Sequence, residues 1–521
     1  MDCLQSACRT VQRVGRRGGP ALSRRALLRL GAAAAAIGAW PARAAAGDTI
    51  RMAFPVPVGT LDPAMMRTGG LEFNYACYVF SRLTATDGKM DIRPDLATSW
   101  ESSADLKSWV FHLRTDVSFH DGKHFDASDV VFTYKRLLDP AVASVMQTKL
   151  NLVSKVEALD PATVRFTLSA PYADMPALVS RYEAMILSER TIGTVTTKPV
   201  GTGPFRFVEY RPGDQMVLER NPDYFVPGLP KVARLVLRVI PEFTTSVAAL
   251  ESGEVDVVFD LPPEQIDRLQ HSTVARAEEV PSGFWQGFVM HCGMKPFDDP
   301  RVREAFLKII DKPSFTDIAT FGHGLPTATP IPPMSPFYRA DLPLTADIPG
   351  ARKLLAEAGY PQGLTVEMFV PGNSPQMERL ATAFRDAAKL ADVTVTLRVV
   401  PQDKFFAEME GKVPFNVDQF LAWTTPDLTV YDMYYSGGAW NDTTWHYHND
   451  EVDRLLDAGR STADRAEQAR AYGRFQEIVA KDGPGSAVYV QNFACGVSRK
   501  LQNFSVSPLQ LAEITEASFA S

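Results

Sequence analysis

The chain has 521 residues, more than one compact hydrophobic core serves, so two or three lobes are expected. Its 45% hydrophobic, 22% charged and 10% aromatic residues exclude a disordered chain, a small disulfide scaffold and a multi-span membrane protein. The net charge of −7 hides an asymmetry: residues 1–46 hold eight Arg, no Lys and one Asp, which leaves 46 basic against 60 acidic residues, or −14, in the remainder. An acidic chain without a basic cluster lacks the electrostatic footprint of nucleic-acid binding, so DNA and RNA are excluded as partners.

Residues 1–46 read as an export signal. Arg-rich sequence leads into Ser23-Arg24-Arg25-Ala26-Leu27-Leu28-Arg29, Leu30 to Trp40 is uncharged and mostly Ala, and small residues follow Pro41. The apolar run is too short to cross a hydrocarbon core of roughly 30 Å, which takes about 20 helical residues. Arg24 and Arg25 ahead of it resemble a twin-arginine signal, which implies export of a folded chain and cleavage after Ala44 or Ala46. No Cys follows the run to carry a lipid, so a soluble periplasmic protein is expected. Cys77, Cys292 and Cys495 of the remainder are widely spaced, without the pattern of a zinc or redox site, and read as small buried hydrophobes.

Strand-like stretches then recur: Lys107 to Arg114, Thr163 to Ser169, Phe205 to Tyr210, Gln215 to Arg220, Arg234 to Ile240, Val255 to Asp260, Leu364 to Val370 and Val393 to Val400. Helices are predicted between them. Asp126 caps a helix whose apolar face is Val130, Val131, Tyr134, Leu137 and Leu138 and which stops before Pro140. Asp299-Pro300 opens a second, with Val302, Ala305, Phe306, Ile309 and Ile310 on one face, and a third over Ala351 to Ala358 ends at Gly359. The chain is α/β, with no internal repeat and no low-complexity linker.

No phosphate-binding loop, dinucleotide fingerprint, nucleophile elbow or zincin motif occurs. His120 and His124 bracket the turn dipeptide Asp121-Gly122, which does not suit a helical metal pair. His446 and His448 could lie on one face of a strand and hold a transition metal, but only Asp442 or Asp450 stands near as a third ligand, and a polar surface is the simpler reading.

From Asp48 to Ser498 the sequence resembles the extracytoplasmic solute-binding proteins of ABC importers, in their peptide/nickel-binding group. The likeness is carried by Leu61-Asp62-Pro63, by Arg93-Pro94-Asp95-Leu96-Ala97-Thr98-Ser99-Trp100-Glu101, and most specifically by Trp109 to Arg114, Phe119-His120-Asp121-Gly122-Lys123 and Ala127 to Val131. Gly201-Thr202-Gly203-Pro204-Phe205, Arg220 to Tyr224, Gly253 to Asp256, Pro296 to Arg303 and Ala351 to Gly359 follow in family order. The resemblance implies a periplasmic-binding-protein-like fold, two lobes around a ligand cleft with hinge strands. Residues 47–75, 195–285 and 480–521 would form lobe I, 286–479 lobe II, and 76–194 an extra smaller domain. The glycines before Pro204 suit a tight turn, and these motifs shape the scaffold.

The resemblance also assigns ligand-binding candidates. In the family a segment with Trp and an acidic residue lines the cleft, and its carboxylate holds a peptide ammonium; here that segment offers Trp423 and Asp427, although Pro426 stands where the acid is more usual. Asp427 reads either as the ammonium partner or as a helix cap. Phe284, Trp285, Trp440, Asn441 and Trp445 belong to the same expected lining, and His291 stands near the place of a family Asn. The loop Pro371-Gly372-Asn373-Ser374-Pro375 carries no Arg for a ligand carboxylate, which disfavours a simple dipeptide. The expected protein is a receptor without catalytic residues or cofactor, a monomer that captures a peptide or peptide-like solute and delivers it to an ABC permease. A nickel or other metal chelate and other organic solutes are the alternatives within the family. A metal-dependent hydrolase using His446, His448 and Asp442 is the alternative from another class.

Overall fold

The computed structural model describes residues 48–66 and 70–520, so the export segment lies outside the described residues. Eleven strands join in one sheet. They are β1 (Thr49–Phe54), β2 (Phe205–Arg211), β3 (Gln215–Arg220), β4 (Arg234–Val239), β5 (Val257–Val258), β6 (Ala275–Met290), β7 (Gly324–Pro326), β8 (Leu364–Pro371), β9 (Val393–Val400), β10 (Phe415–Leu421) and β11 (Gly485–Ser498). Their order is β9-β8-β10-β6-β11-β5-β1-β4-β3-β2, and β7 pairs with β11 off this path. One lobe is built on the parallel neighbours β4, β1 and β5. The other is built on β9, β8 and β10, also parallel.

The two lobes share β6 and β11. These pair antiparallel from Ala275 opposite Ser498 to Val289 opposite Gly485, with register shifts between Pro281 and Trp285 and between Gln286 and Gly287. Near Ala275, β11 also pairs with β5; from Phe284 onward, β6 instead pairs with β10. Each strand therefore starts in one lobe and ends in the other, which is the arrangement of hinge strands. Sequence patterning does not mark β6 as a strand because Pro281, Gly283 and Gly287 punctuate it. The glycines are required by proximity: a Cβ at Gly283 would overlap the Ala422 carbonyl, and one at Gly287 the Ser486 carbonyl.

Helices close over the sheet through apolar faces. Val247, Leu250, Ile266 and Leu269 pack beneath β5 in the first lobe, and Phe306, Leu380 and Phe384 pack on Phe288, Met368 and Phe415 in the second. The predicted helix at Asp299-Pro300 is Pro300–Ile309, and the one ending near Gly359 is Ile348–Glu357, with Gly359 at φ 97°. The predicted strand over Val255 to Asp260 is shortened to Val257–Val258, because Asp260 turns into the left-handed region at φ 57°.

An extra domain carries its own core. Its antiparallel sheet runs in the order Ala97–Ser102, Ser108–Leu113, Thr163–Leu168 and Val153–Asp160. The helix Ala127–Leu138, opened by a capping box of Asp126 and Asp129, lays Val130, Tyr134 and Leu137 onto Phe111 and Phe166. Gly201 and Gly203 do more than turn the chain: a Cβ at either would collide with the Val79 backbone. His120 is held there too, accepting from the Gly201 N–H at 3.3 Å and lying 3.0 Å from the Gly203 carbonyl, with burial drawing its imidazole down to about 4.

Candidate ligand-binding cleft

Parallel strands in open α/β sheets bind ligands where the chain leaves their carboxyl ends. In the first lobe Phe243 follows β4 and Asp260 to Glu264 follow β5; in the second, Asn373 to Gln376 follow β8, Gln402 follows β9, and Gln419 and Leu421 close β10. These residues converge with Phe284 and Gln286 of β6, Gln491 and Asn492 of β11, Leu71 and Gln510 around one cavity of about 460 Å³. Both lobes and both hinge strands therefore contribute. Two other depressions, of about 620 Å³ over the extra domain and about 510 Å³ beside Lys312, share no lining residue with this cavity, the second touching β11 only at its first residues, Gly485 and Ser486. Lys312 itself is spent on the fold, donating to the carbonyls of Thr327, Ala328 and Ala487 at 2.7–3.0 Å.

The lining is rich in side-chain amides. Gln286 donates to Gln419 Oε1 at 3.2 Å across β6 and β10, and accepts from the Tyr489 hydroxyl, so the floor of the cavity is a hydrogen-bonded amide ladder. Asn492 donates to Glu279 at 2.9 Å, and Glu279 also faces His323 at 3.1 Å. Charge enters through Asp260 and Glu264, and no Lys or Arg is among the lining residues. Burial lifts the Asp260 carboxyl to about 6.

Of the residues selected from sequence, Phe284 borders this cavity and the others lie elsewhere. Trp285 alternates with Phe284 and Gln286 along β6, and the strand's period of two turns it to the opposite face. There, 1% exposed, it packs on Phe420 with ring centroids 4.7 Å apart, and Trp440 and Trp445 meet the same Phe420 edge-on. Asn441 is committed to its own loop, donating to the Tyr435 and Tyr447 carbonyls at 3.0 and 2.7 Å and accepting from the Tyr447 N–H at 2.9 Å. Trp423 lies beneath the Arg181 guanidinium at 3.7 Å and borders a separate cavity of about 100 Å³.

Asp427 occupies the second position of the helix Pro426–Tyr434, which Thr425 caps. Its carboxylate is 4% exposed and forms an ion pair with Arg460, Oδ1 to Nε at 3.1 Å. Its partner is therefore a cation of the protein. Burial outweighs the Arg460 charge and holds the Asp427 carboxyl above its ordinary range. His446 stacks on His291 with centroids 4.4 Å apart, whereas His448 is exposed and faces Asp450 at 3.2 Å. Among the described residues no three His, Cys, Asp or Glu side chains are grouped to hold a metal ion. None of Trp285, Trp423, Asp427, Trp440 or Asn441 borders the cavity between the lobes. The amides that do border it are scattered along the chain, Gln286, Gln419, Gln491 and Asn492 within strands and the others outside them; for Asp260, Asn373 and Gln402 the one signal in sequence is position, directly after a strand of a parallel pair.

Known proteins share this architecture. The chain is similar to the glutathione-binding protein GsiB of Escherichia coli strain K12, 28% identical over 445 residues that span 82% of this chain and 86% of that protein. Among solved structures, the periplasmic binding protein AgaA of A. tumefaciens R10 in complex with agropinic acid superposes with a TM-score of 0.79 at 24% identity, covering 91% of this chain and 99% of that one. DppA of Helicobacter pylori in complex with the peptide STSA does so with a TM-score of 0.79 at 23% identity, covering 91% and 98%. The described residues contain no helix long and apolar enough to cross a membrane. The pattern of the bacterial extracellular solute-binding proteins, family 5 middle region, matches residues 91–442, over half of the chain, and the protein belongs to that family.

Proposed function

We propose that the protein is the periplasmic receptor of an ABC importer, which captures a peptide or peptide-like solute between its lobes and delivers it to the permease. The observation that carries this reading is the amide-lined cavity, to which both lobes and both hinge strands contribute. Side-chain amides serve as donor and acceptor alike, which suits a ligand made of amide bonds. A volume of about 460 Å³ lies within the range of small-ligand sites. Binding between lobes that close about a hinge needs no nucleophile and no cofactor, so the protein acts as a receptor and not as an enzyme. In this reading residues 1–46 are a cleaved twin-arginine export signal and the mature chain works as a monomer. Residues 47–75, 195–285 and 480–521 make lobe I, 286–479 lobe II and 76–194 the extra domain. GsiB is named for glutathione and DppA was solved with a peptide, both amide-bonded compounds. Asp427 serves the fold through Arg460.

A solute that binds the closed form stabilises it by about 2.7 kcal/mol at a hundredfold excess over Kd. A thermal-shift screen of ligand-free protein against peptides, metal chelates and small organic solutes is therefore expected to single out one chemical class. A uniform absence of any shift across the panel would contradict the receptor reading.

A further inference from the structure

Of the two charged residues bordering the cleft, Glu264 faces Arg379 at 3.8 Å. Asp260 has no such partner: among the described residues no Lys, Arg or His stands within ion-pair distance of its carboxylate. The side chain is partly exposed, so water and not the protein meets its charge in the empty cleft. The backbone there is also left-handed, φ 57°, a conformation that residues with a Cβ adopt at a cost and that Asp and Asn tolerate best. The fold gains nothing from this charge in this place.

Two residues of the adjoining hinge strand have the same polarity. Because Asn492 Nδ2 is held by Glu279 at 2.9 Å, its amide oxygen points the other way, and that oxygen is buried without a donor. Gln491 Oε1 is likewise buried without a donor. Asp260 and these two amide oxygens, presented from the two faces of β11, border one cavity whose lining has no Lys or Arg to balance them. Such a site complements a group rich in N–H and carrying positive charge, and it offers no charged partner to a carboxylate.

We propose that Asp260 anchors a cationic group of the solute, with Gln491 and Asn492 accepting hydrogen bonds from its N–H groups, so that the cleft selects amine- or guanidine-bearing peptide-like solutes over anionic ones. This rests on the reading of the cleft as the solute site. It separates the cation partner from the Trp423–Asp427 segment, where Arg460 already neutralises the carboxylate.

Calorimetry on ligand-free protein with three probe sets tests it: cationic (lysine- and arginine-containing tripeptide amides, agmatine, spermidine), the acetylated neutral forms of the same compounds, and anionic (glutathione and acidic dipeptides). The wild type is expected to prefer the cationic set. Asp260→Asn, which keeps both shape and tolerance of the left-handed backbone, is expected to weaken that binding about 30- to 1000-fold without lowering the melting temperature of the ligand-free protein. Glu251→Gln, at a carboxylate paired with Arg268 at 2.7 Å outside the cavity, is expected to leave affinity within about threefold. Acetylating the probe's amine is expected to cost the wild type a similar factor and to cost Asp260→Asn almost nothing. Equal or tighter binding of neutral or anionic probes, or an unchanged affinity in Asp260→Asn, would overturn the charge assignment and leave the receptor reading standing. Failure of every set to bind would overturn both.

Discussion

Arg460→Met is expected to lower stability by about 3–5 kcal/mol, because it strands the Asp427 carboxylate, 4% exposed, without its cation. The damage is compounded by Asp174, a second buried carboxyl that desolvation, aided by the nearby Asp427 charge, has already raised to about 7. The loss depends on pH in a defined direction. A carboxyl whose folded value is raised opposes folding above its unfolded value, most strongly above the folded one, so the deficit of Arg460→Met is expected to be larger at pH 8 than at pH 5. Arg460 also lies over the Tyr431 ring at 3.5 Å, and Met retains part of that packing, which keeps charge loss the dominant change. Removing both charges, in Arg460→Met with Asp427→Asn, is expected to recover most of the loss. Chemical denaturation of the single and double variants measures this, and a single variant within about 1 kcal/mol of wild type would show that the pair does not hold the second lobe together.

Gly287→Ala is expected to be as severe, about 3–5 kcal/mol, for a steric reason. The added methyl would overlap the Ser486 carbonyl and crowd the Ala487 backbone, atoms of the partner hinge strand that cannot rotate away. The strands must separate at a point where β6 is also paired with β10, through Gly287 opposite Asp418. Gly88→Ala, where a Cβ would meet nothing within 4 Å, is the matched control and is expected to stay within about 0.5 kcal/mol of wild type. Thermal melts of the two variants compare them directly. A mild Gly287→Ala would mean that the hinge pair is looser than its geometry implies.

Much of the fold is legible in the sequence wherever local chemistry and tertiary demand agree. Asp126 and Asp129 cap the helix that the apolar spacing of Val130, Tyr134 and Leu137 predicts, and Gly359 ends another in the conformation its position requires. The hinge strands are harder to read, because Pro281, Gly283 and Gly287 answer to a neighbouring backbone and not to local propensity. The cleft is harder still. Of the aromatic residues expected there, Phe284 does border the cavity, as does Gln286, whereas Trp285, Trp440 and Trp445 fill the core behind β6. A carboxylate near Trp423 invites a ligand, but Arg460 lies 33 residues beyond Asp427 in sequence and no pattern links them before the chain folds. Gln and Asn residues on separate strands and loops gain meaning only through the sheet that gathers them.

Native mass spectrometry of the protein taken gently from the cell tests the central claim most directly. The account predicts one organic compound per chain, rich in amide and N–H groups, lost on denaturation and released more readily from Asp260→Asn. A chain that carries no organic compound under any mild isolation, or carries only a stoichiometric metal ion together with hydrolytic turnover, would contradict it.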